Sequence, residues 1–553
     1  MPDANPPSTT ARRGPARLRQ LRPTPVLVVL ACATAPLAGF VYDNRYDLPD
    51  VAAVTPWWFA TVAFGLLLLA GLTMATRRAS VDALALVAGV VVASFYQFGR
   101  FSGAASPDVA SLVRFAAIVG LVAFAVFRLA TVPTARRFVG LLAVMLAVVP
   151  LLGYAAWRVS ATAQAPHTAR PSTAPTPTVD PAAADADVRL AGDGADADAA
   201  DLASAGVAVA EDVAARPDVY VFVLDERARG DELAGRLGLD TSAFEAELTE
   251  LGFSVSPTSF AAYPKTLLSL SSLFEMDYVA TAPADVSDGL LRYRSLLEGD
   301  SQFVRAMRAQ GYQHVYAHPG AFDWLGCDPT LADVCIEPRT DSLRLSEVDR
   351  TIAEMTPLQL LTSQTLLPYT DPVYVADQAR QARTDAPQLV VGHILSPHGP
   401  YRYTDSCALR ETFVEAAALD ADGRKAAYLQ DVICTDALTL QAVRSIVLRD
   451  PDAVIVVLSD HGSNFEIEGP TQAAWTEAGI VERFGVLDAV RAPGCDLPEE
   501  RGVLVNLLRR VQACLDGTEP DLLPDRAFTW WEENPLGLEE LPDAAARLQH
   551  PQR

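Results

Sequence analysis

Asp225 stands directly after the run VYVFVL, and Ser459, Asp460, His461 and Gly462 stand directly after AVIVVL. A third run, LVVGHI, contributes His393 and, five residues on, His398 in HILSPHGPY. Five of the seven histidines fall in or just after such runs: His314, His318, His393, His398 and His461. Short β-branched runs of this kind read as buried strands, and ligands of an α/β sheet gather beyond the carboxyl ends of its strands. Two carboxylates and an imidazole are therefore expected at one edge of one sheet. Hard carboxylates with imidazole suit one divalent metal ion, with manganese favoured and magnesium, calcium or zinc also compatible. The alternative is a structural polar cluster, and His314, inside a strand, reads as a core residue.

A cation needs a group to act with. In AAYPKTLLSLSSLFEMDY, Thr266 follows Pro264 and Lys265 at the expected first turn of a helix running to Met276. A hydroxyl there meets the positive end of the helix dipole, and a nearby cation lowers its pKa further, which suits an alkoxide nucleophile. The competing reading is a threonine that only caps the helix.

The elements that position these groups alternate in type. VYVFVL (219 to 224), HVYAH (314 to 318), LVVGHI (389 to 394) and AVIVVL (453 to 458) are the expected strands, with SAFEAELTELG and SQFVRAMRAQG among the expected helices. This is an α/β domain with a mainly parallel central sheet. Six cysteines, Cys327, Cys335, Cys407, Cys434, Cys495 and Cys514, fall in it, whereas Cys32 lies in an apolar stretch. An even six without a C-x-x-C pair favours disulfides over zinc. Sequence neighbours point to Cys327 with Cys335, Cys407 with Cys434 and Cys495 with Cys514, one of fifteen connectivities.

The chain has 553 residues, of which 50% are hydrophobic and 20% charged, too long for one average domain and too apolar to be disordered. Its net charge of -24 is split: 14 Arg against 6 Asp through residue 160 give +8, leaving -32 for the rest. An acidic bulk with no basic stripe excludes nucleic acid as the main partner. Five apolar stretches, Pro25 to Tyr42, Val54 to Ala75, Val81 to Gly99, Val109 to Phe127 and Phe138 to Trp157, are each expected to span a bilayer. Arg12, Arg13, Arg17, Arg19 and Arg22 before the first stretch, with Arg77, Arg78, Arg136 and Arg137 in the second and fourth connections, mark the cytoplasmic side. Asp82 and Arg114 lie near span ends and read as solvated charges rather than a transport path. An odd number of spans places everything after Trp157 outside.

The expected organisation is a basic tail over 1–24, a five-helix transmembrane domain over 25–158, an Ala/Pro/Thr/Asp-rich linker over 159–215, a catalytic domain over 216–530 and a C-terminal tail over 531–553. Two Lys against 42 Arg, with an excess of Ala, suggest a GC-rich bacterial genome and hence a bacterial plasma membrane.

RPDVYVFVLDERARGDEL, YPKTLLSLSSLFEMDY, HILSPHGPY and VVLSDHGS, in that order, resemble the motifs of sulfatase-like proteins of the alkaline phosphatase superfamily. The branch resembled is that of lipoteichoic acid synthases and phosphoglycerol transferases, which also join five transmembrane helices to an extracytoplasmic catalytic domain. The resemblance implies Asp225, Thr266, Asp460 and His461 as metal ligands, Thr266 also as nucleophile, and His398 at the substrate or leaving group. Arg229, Lys265, His393 and Trp324 are the expected substrate-binding residues. The chain lacks the C-x-P-S-R sequence that matures to formylglycine, so sulfate ester hydrolysis is disfavoured. It also has Asp225 where that branch usually has Glu, and no Arg close behind Trp324.

The resemblance implies a membrane-anchored transferase moving a phospho-alcohol group from a lipid or polymer donor to a cell-envelope acceptor through a phospho-threonine. Its partners are a membrane lipid or lipid-linked phosphodiester and an envelope glycan. An extracytoplasmic hydrolase with the same site, or a non-catalytic binding module, remains the alternative.

Overall fold

The computed structural model describes residues 23–45, 51–76, 79–102 and 108–164. It also describes 216–549 except 288, 321–325, 340–345, 363–367, 415, 417–418, 467–470 and 532–533. The basic tail, Arg77, Arg78, Trp324 and residues 165–215 of the expected linker lie outside the described residues. The chain divides into two compact units, one N-terminal and helical, the other running Gly153–Arg553.

The N-terminal helices are α1 (Pro23–Asp43), α2 (Thr55–Ala75), α3 (Val81–Phe95), α4 (Phe98–Ser102), α5 (Val109–Ala130) and α6 (Pro133–Gln164). Among the described residues, four helices are long and apolar enough to cross a membrane: α1, α2 with the turn before it, α5 and α6. The third of the five expected stretches is a shorter apolar helix. The third stretch is a 15-residue helix that breaks at Tyr96 and Gln97 before the short α4, and 15 residues at 1.5 Å each fall short of a hydrocarbon core. That helix is nonetheless the most enclosed, with Ala83, Leu84, Ala85, Leu86, Ala88 and Val92 buried. Small residues let it approach: a Cβ on Gly89 would lie 2.6 Å from Cys32 Sγ, and one on Gly65 3.2 Å from Val92. Asp82, in its first turn, is partly exposed and 3.6 Å from Arg136, as a solvated end charge should be. Helix α6 continues to Gln164, past the expected linker start at 159.

The second unit is built on a seven-stranded sheet. Its strands are β1 (Val219–Leu224), β2 (Ser254–Val255), β3 (Gln313–Ala317), β4 (Val334–Ile336), β5 (Gln388–Ile394), β8 (Val454–Leu458) and β9 (Asp488–Arg491), in the order β2-β9-β8-β1-β5-β3-β4. Strands β8, β1, β5, β3 and β4 run parallel, and β9 is antiparallel to β8. The expected mainly parallel sheet is therefore present. Alternate residues of β1 feed two cores: Val219, Val221 and Val223 face the side covered by the helices Thr266–Glu275, Gln302–Ala309 and Leu507–Leu515. Tyr220, Phe222 and Leu224 face Ser242–Glu250, Pro372–Gln381 and Ala421–Arg449. Burial on both faces explains why these strands read as unbroken apolar runs.

Register aligns the strand ends. Leu224 pairs with Ile394 and Val223 with Leu458, so Asp225 and Ser459–Asp460 emerge from one edge. The backbone closes that edge, with Asp225 N donating to Ile394 O at 2.9 Å and His398 N to Asp225 O at 3.1 Å.

All three disulfides join sequence neighbours as expected: Cys327–Cys335, Cys407–Cys434 and Cys495–Cys514. The middle one ties the hairpin of β6 (Tyr401–Tyr403) and β7 (Leu409–Val414) to the helix Ala421–Arg449. The stretch from 531, expected as a tail, holds regular structure. It contains β11 (Asn534–Glu540), paired with β10 (Phe528–Trp531), and the helix Ala544–Gln549, and Leu538, Leu541, Ala544 and Leu548 are buried in the core.

Candidate functional site

Asp225, Asp460 and His461 meet at the sheet edge, fully buried, with one ligand atom from each within 4.8 Å of the others. His461 Nε2 lies 3.1 Å from Asp460 Oδ2, 3.9 Å from Asp225 Oδ1 and 3.3 Å from Thr266 Oγ1. Thr266 is the first residue of its helix and half-buried, and its hydroxyl reaches across to His461. The floor beneath is fixed: Ser269, one turn on, donates to Asp460 O at 2.6 Å, and Glu226 N donates to Asp460 Oδ1 at 3.0 Å. Gly462 must be glycine, because a Cβ there would lie 2.0 Å from Glu482 O.

These residues fit a divalent cation. Among the described residues, Asp225 Oδ1 and Asp460 Oδ2 are buried side-chain oxygens with no hydrogen-bond partner, a costly arrangement unless a cation shares them. Burial and the neighbouring Asp225 charge push Asp460 up to about 7. Burial presses Asp225 the same way, but the hydrogen bond from His393 and the charges of His398, His393 and Arg483 hold it below the usual carboxylate range. Burial, then Arg483 and His398, push His461 well below its ordinary value, keeping the imidazole neutral as a ligand must be.

His393, expected at the substrate, stands behind Asp225. It is buried, and its Nε2 is 3.0 Å from Asp225 Oδ2, the position of a residue that orients a ligand carboxylate. His398 is half-exposed, with Nδ1 against Gly399 O and Nε2 4.0 Å from Glu226 Oε2. Lys265 lies beside Thr266 with its ammonium 3.9 Å from the centre of the Trp531 ring. Arg229, expected to bind phosphate, is engaged with protein groups. Its buried guanidinium donates to both oxygens of Asp231, at 2.7 and 3.0 Å, and to Ser259 O and Leu548 O, at 3.1 and 2.9 Å. That guanidinium holds the chain's C-terminal helix in place.

Two charged residues of the site escaped the sequence reading. Glu226, adjacent to Asp225, sits in the left-handed region at φ 66 and is buried. Such a backbone in a non-glycine residue is uncommon and clusters at functional sites. Arg483, on the helix Glu477–Phe484, donates to Glu226 Oε1 at 3.2 Å, to Gly462 O at 2.9 Å, and twice to Pro264 O at 2.9 and 2.6 Å. Its Nη2 is also 3.2 Å from His461 Nε2. One guanidinium thus ties the three loops that carry Asp225, Thr266 and His461. The adjacency of Glu226 to Asp225 was the only available signal; an arginine in an amphipathic helix gave none.

Residues 218–480 match the family model described as Sulfatase. The chain is similar in structure to the zinc complex of the periplasmic domain of EptC from Escherichia coli, at 13% identity over 60% of this chain and 96% of that one, TM-score 0.40. It is also similar to the integral membrane lipooligosaccharide phosphoethanolamine transferase A of Neisseria meningitidis, at 14% identity over 89% of this chain and 95% of that one, TM-score 0.37. Similarity to the lipoteichoic acid synthase LtaP of Listeria monocytogenes is 12% identity over 59% and 77%, TM-score 0.38. No curated protein matches the chain.

Proposed function

We propose that this protein is a membrane-anchored phosphotransferase that moves a phospho-alcohol group from a lipid or lipid-linked donor to a cell-envelope acceptor. The observation that carries this reading is Thr266 Oγ1 at 3.3 Å from His461 Nε2, on a helix N-terminus, beside two buried carboxylates.

Asp225, Asp460, His461 and Thr266 would hold one divalent cation, manganese by preference, which when bound supplies positive charge to the reacting oxygen and phosphorus. Thr266, after giving up its proton to solvent, forms the new P–O bond while the bond to the leaving alcohol breaks. His398 gives that alcohol a proton from Nε2, which faces Glu226 Oε2 at 4.0 Å, while Gly399 O fixes the ring through Nδ1. The acceptor hydroxyl, giving its proton to the His398 imidazole left neutral by the first step, then forms its own P–O bond as the bond to Thr266 breaks, and Thr266 takes a proton back from solvent. Lys265 sits where it can steady the donor phosphate. His393 and Arg483 touch no substrate in this scheme; they hold Asp225, His461 and the turn before Thr266 in place.

In this reading residues 25–158 cross a bacterial plasma membrane five times, with α3 and α4 together as the third span, and residues 216–549 act outside. The distribution of arginines supports that orientation. A reporter active only outside the cytoplasm should work when fused after Trp157 and fail when fused between Arg136 and Arg137.

The chemistry is tested by acid-quenching the manganese-loaded protein during turnover of a phosphodiester and mapping adducts by mass spectrometry. A phosphoryl-alcohol adduct on Thr266 is the expected result. Full turnover with no adduct at any time point would remove the covalent step.

A further inference from the structure

The loop that carries His398 is gripped from below by a buried carboxylate that plays no part in the transfer scheme. The long helix Ala421–Arg449 lies under two of the strand-end loops. Its Tyr428 donates to Glu226 O at 2.8 Å and accepts from Ala228 N at 3.1 Å, while Asp436 pairs with Arg227 at 2.8 Å. Those contacts fix the loop after β1. One turn along, Asp431 and Thr435 take hold of the loop after β5.

Asp431 is fully buried. Its Oδ2 accepts from Arg402 N at 2.8 Å and its Oδ1 from Tyr403 N at 3.0 Å. Ser396, at the other end of the loop, is 2.6 Å from Thr435 Oγ1 and donates to Asp431 Oδ2 at 3.5 Å. Arg402 then turns back over the segment between, its Nη1 donating to His398 O at 2.8 Å and to Pro400 O at 2.7 Å. The loop from 396 to 403 is thereby held at both ends by Asp431 and Thr435, and at its centre, on the His398 carbonyl, by Arg402.

We infer that Asp431, acting through Arg402, is a positioning residue for leaving-group protonation: it fixes where the His398 imidazole stands relative to Thr266. The inference rests on the reading of His398 as the acid. The hydrogen bonds of Asp431 go to the 396–403 loop, not to Thr266 or any expected metal ligand. Its loss should therefore move proton delivery and leave cation binding and attack intact.

That separation gives the test. Full-length, manganese-loaded protein is assayed on two phosphodiesters with the same retained group, one releasing an alkyl alcohol and one releasing 4-nitrophenol, which departs without help from an acid. His398→Ala should slow the alkyl substrate on the order of 100-fold and the nitrophenyl substrate only a few-fold. Asp431→Asn, of equal size, should show the same pattern with a smaller loss, about 10-fold, at unchanged manganese content. The double variant should be no slower than His398→Ala alone, because both act at one step. Arg402→Lys keeps the charge and loses the two-carbonyl grip, and it should repeat the pattern if Asp431→Asn does not accumulate.

Equal losses on both substrates in Asp431→Asn and Arg402→Lys, with His398→Ala behaving as expected, overturn the positioning role alone. Multiplied losses in the double variant do the same. A His398→Ala loss that ignores the leaving group overturns the parent reading, and this role with it.

Discussion

Thr266 Oγ1 and His461 Nε2, 195 residues apart in sequence, stand 3.3 Å from each other at the carboxyl edge of the sheet. The separation is bridged by local rules on each side. Thr266 is held by a helix whose next turn, through Ser269, is bonded to the carbonyl of Asp460. His461 is held by the strand before it and by Arg483, which also grips the carbonyl two residues ahead of Thr266. The two groups therefore share one rigid frame, as the proposed transfer requires.

Thr266→Ala and Asp460→Asn should fail differently. The threonine is half-buried and supports no core packing, so its replacement should leave the melting temperature nearly unchanged and metal still bound. Turnover should fall by at least about 10³-fold, as for loss of a covalent nucleophile. Asp460→Asn removes a buried anionic ligand and should lower manganese occupancy itself. Near-native turnover in Thr266→Ala would make the hydroxyl a helix residue and nothing more.

His393→Gln should weaken the cation site without touching it. Nε2 of His393 holds Asp225 Oδ2 at 3.0 Å, and residues that orient a ligand carboxylate are worth about 10- to 100-fold in metal affinity. Titration calorimetry with manganese on the variant and parent reads this directly. Unchanged affinity together with a raised KM would return His393 to the substrate-binding role first expected of it.

Legibility in the sequence tracks how local the governing physics is. A strand buried on both faces must be apolar throughout, so VYVFVL and AVIVVL were visible and the acids after them could be placed on one edge. Cysteine pairs at short separation were visible for the same reason. Contacts fixed only by the tertiary fold were not. Arg483 and Asp431 sit on helices whose pattern announces an apolar face and nothing about a buried charge within it. Arg229 follows the first expected metal ligand closely enough to look functional, yet its partners Ser259 and Leu548 lie 30 and 319 residues away. The third apolar stretch has the composition of a span, but its helix breaks at Tyr96 and Gln97. LEELPDAAARLQH is polar enough to read as a tail because a short amphipathic helix buries only one face.

That last segment can be tested by cutting it. A chain ending after Trp530 loses β11 and the C-terminal helix, exposing the core that Leu538, Leu541 and Leu548 cover. Three buried leucines are worth about 1.5–3 kcal/mol each, together comparable to the whole stability of a typical domain. It also strips Arg229 of its Leu548 acceptor and Lys265 of the Trp531 ring. The shortened chain should fail to accumulate as folded protein, read by protease resistance in membranes. A protease-resistant domain of native melting temperature would restore the tail.

Asp431 should leave a signature in the pH dependence of stability. Burial pushes its carboxyl up to about 6, against the opposing pull of the Arg402 guanidinium, the N–H groups of Arg402 and Tyr403, and Arg410. Tyr401 and Tyr403, the other titratable groups beside it, are pushed above their ordinary range and stay uncharged near neutrality. An acid whose folded value exceeds its unfolded value binds its proton more tightly in the folded state. Its contribution is fully present below the unfolded value near 4 and is lost as pH rises through about 6. Asparagine cannot titrate, so the stability advantage of the parent over Asp431→Asn should shrink by about 2 kcal/mol between pH 4.5 and 7.5. Every other titrating group cancels in that difference. Urea unfolding of both chains at the two pH values measures it, and a difference that stays constant or grows with pH would mean that the buried carboxyl is already ionised at pH 4.5.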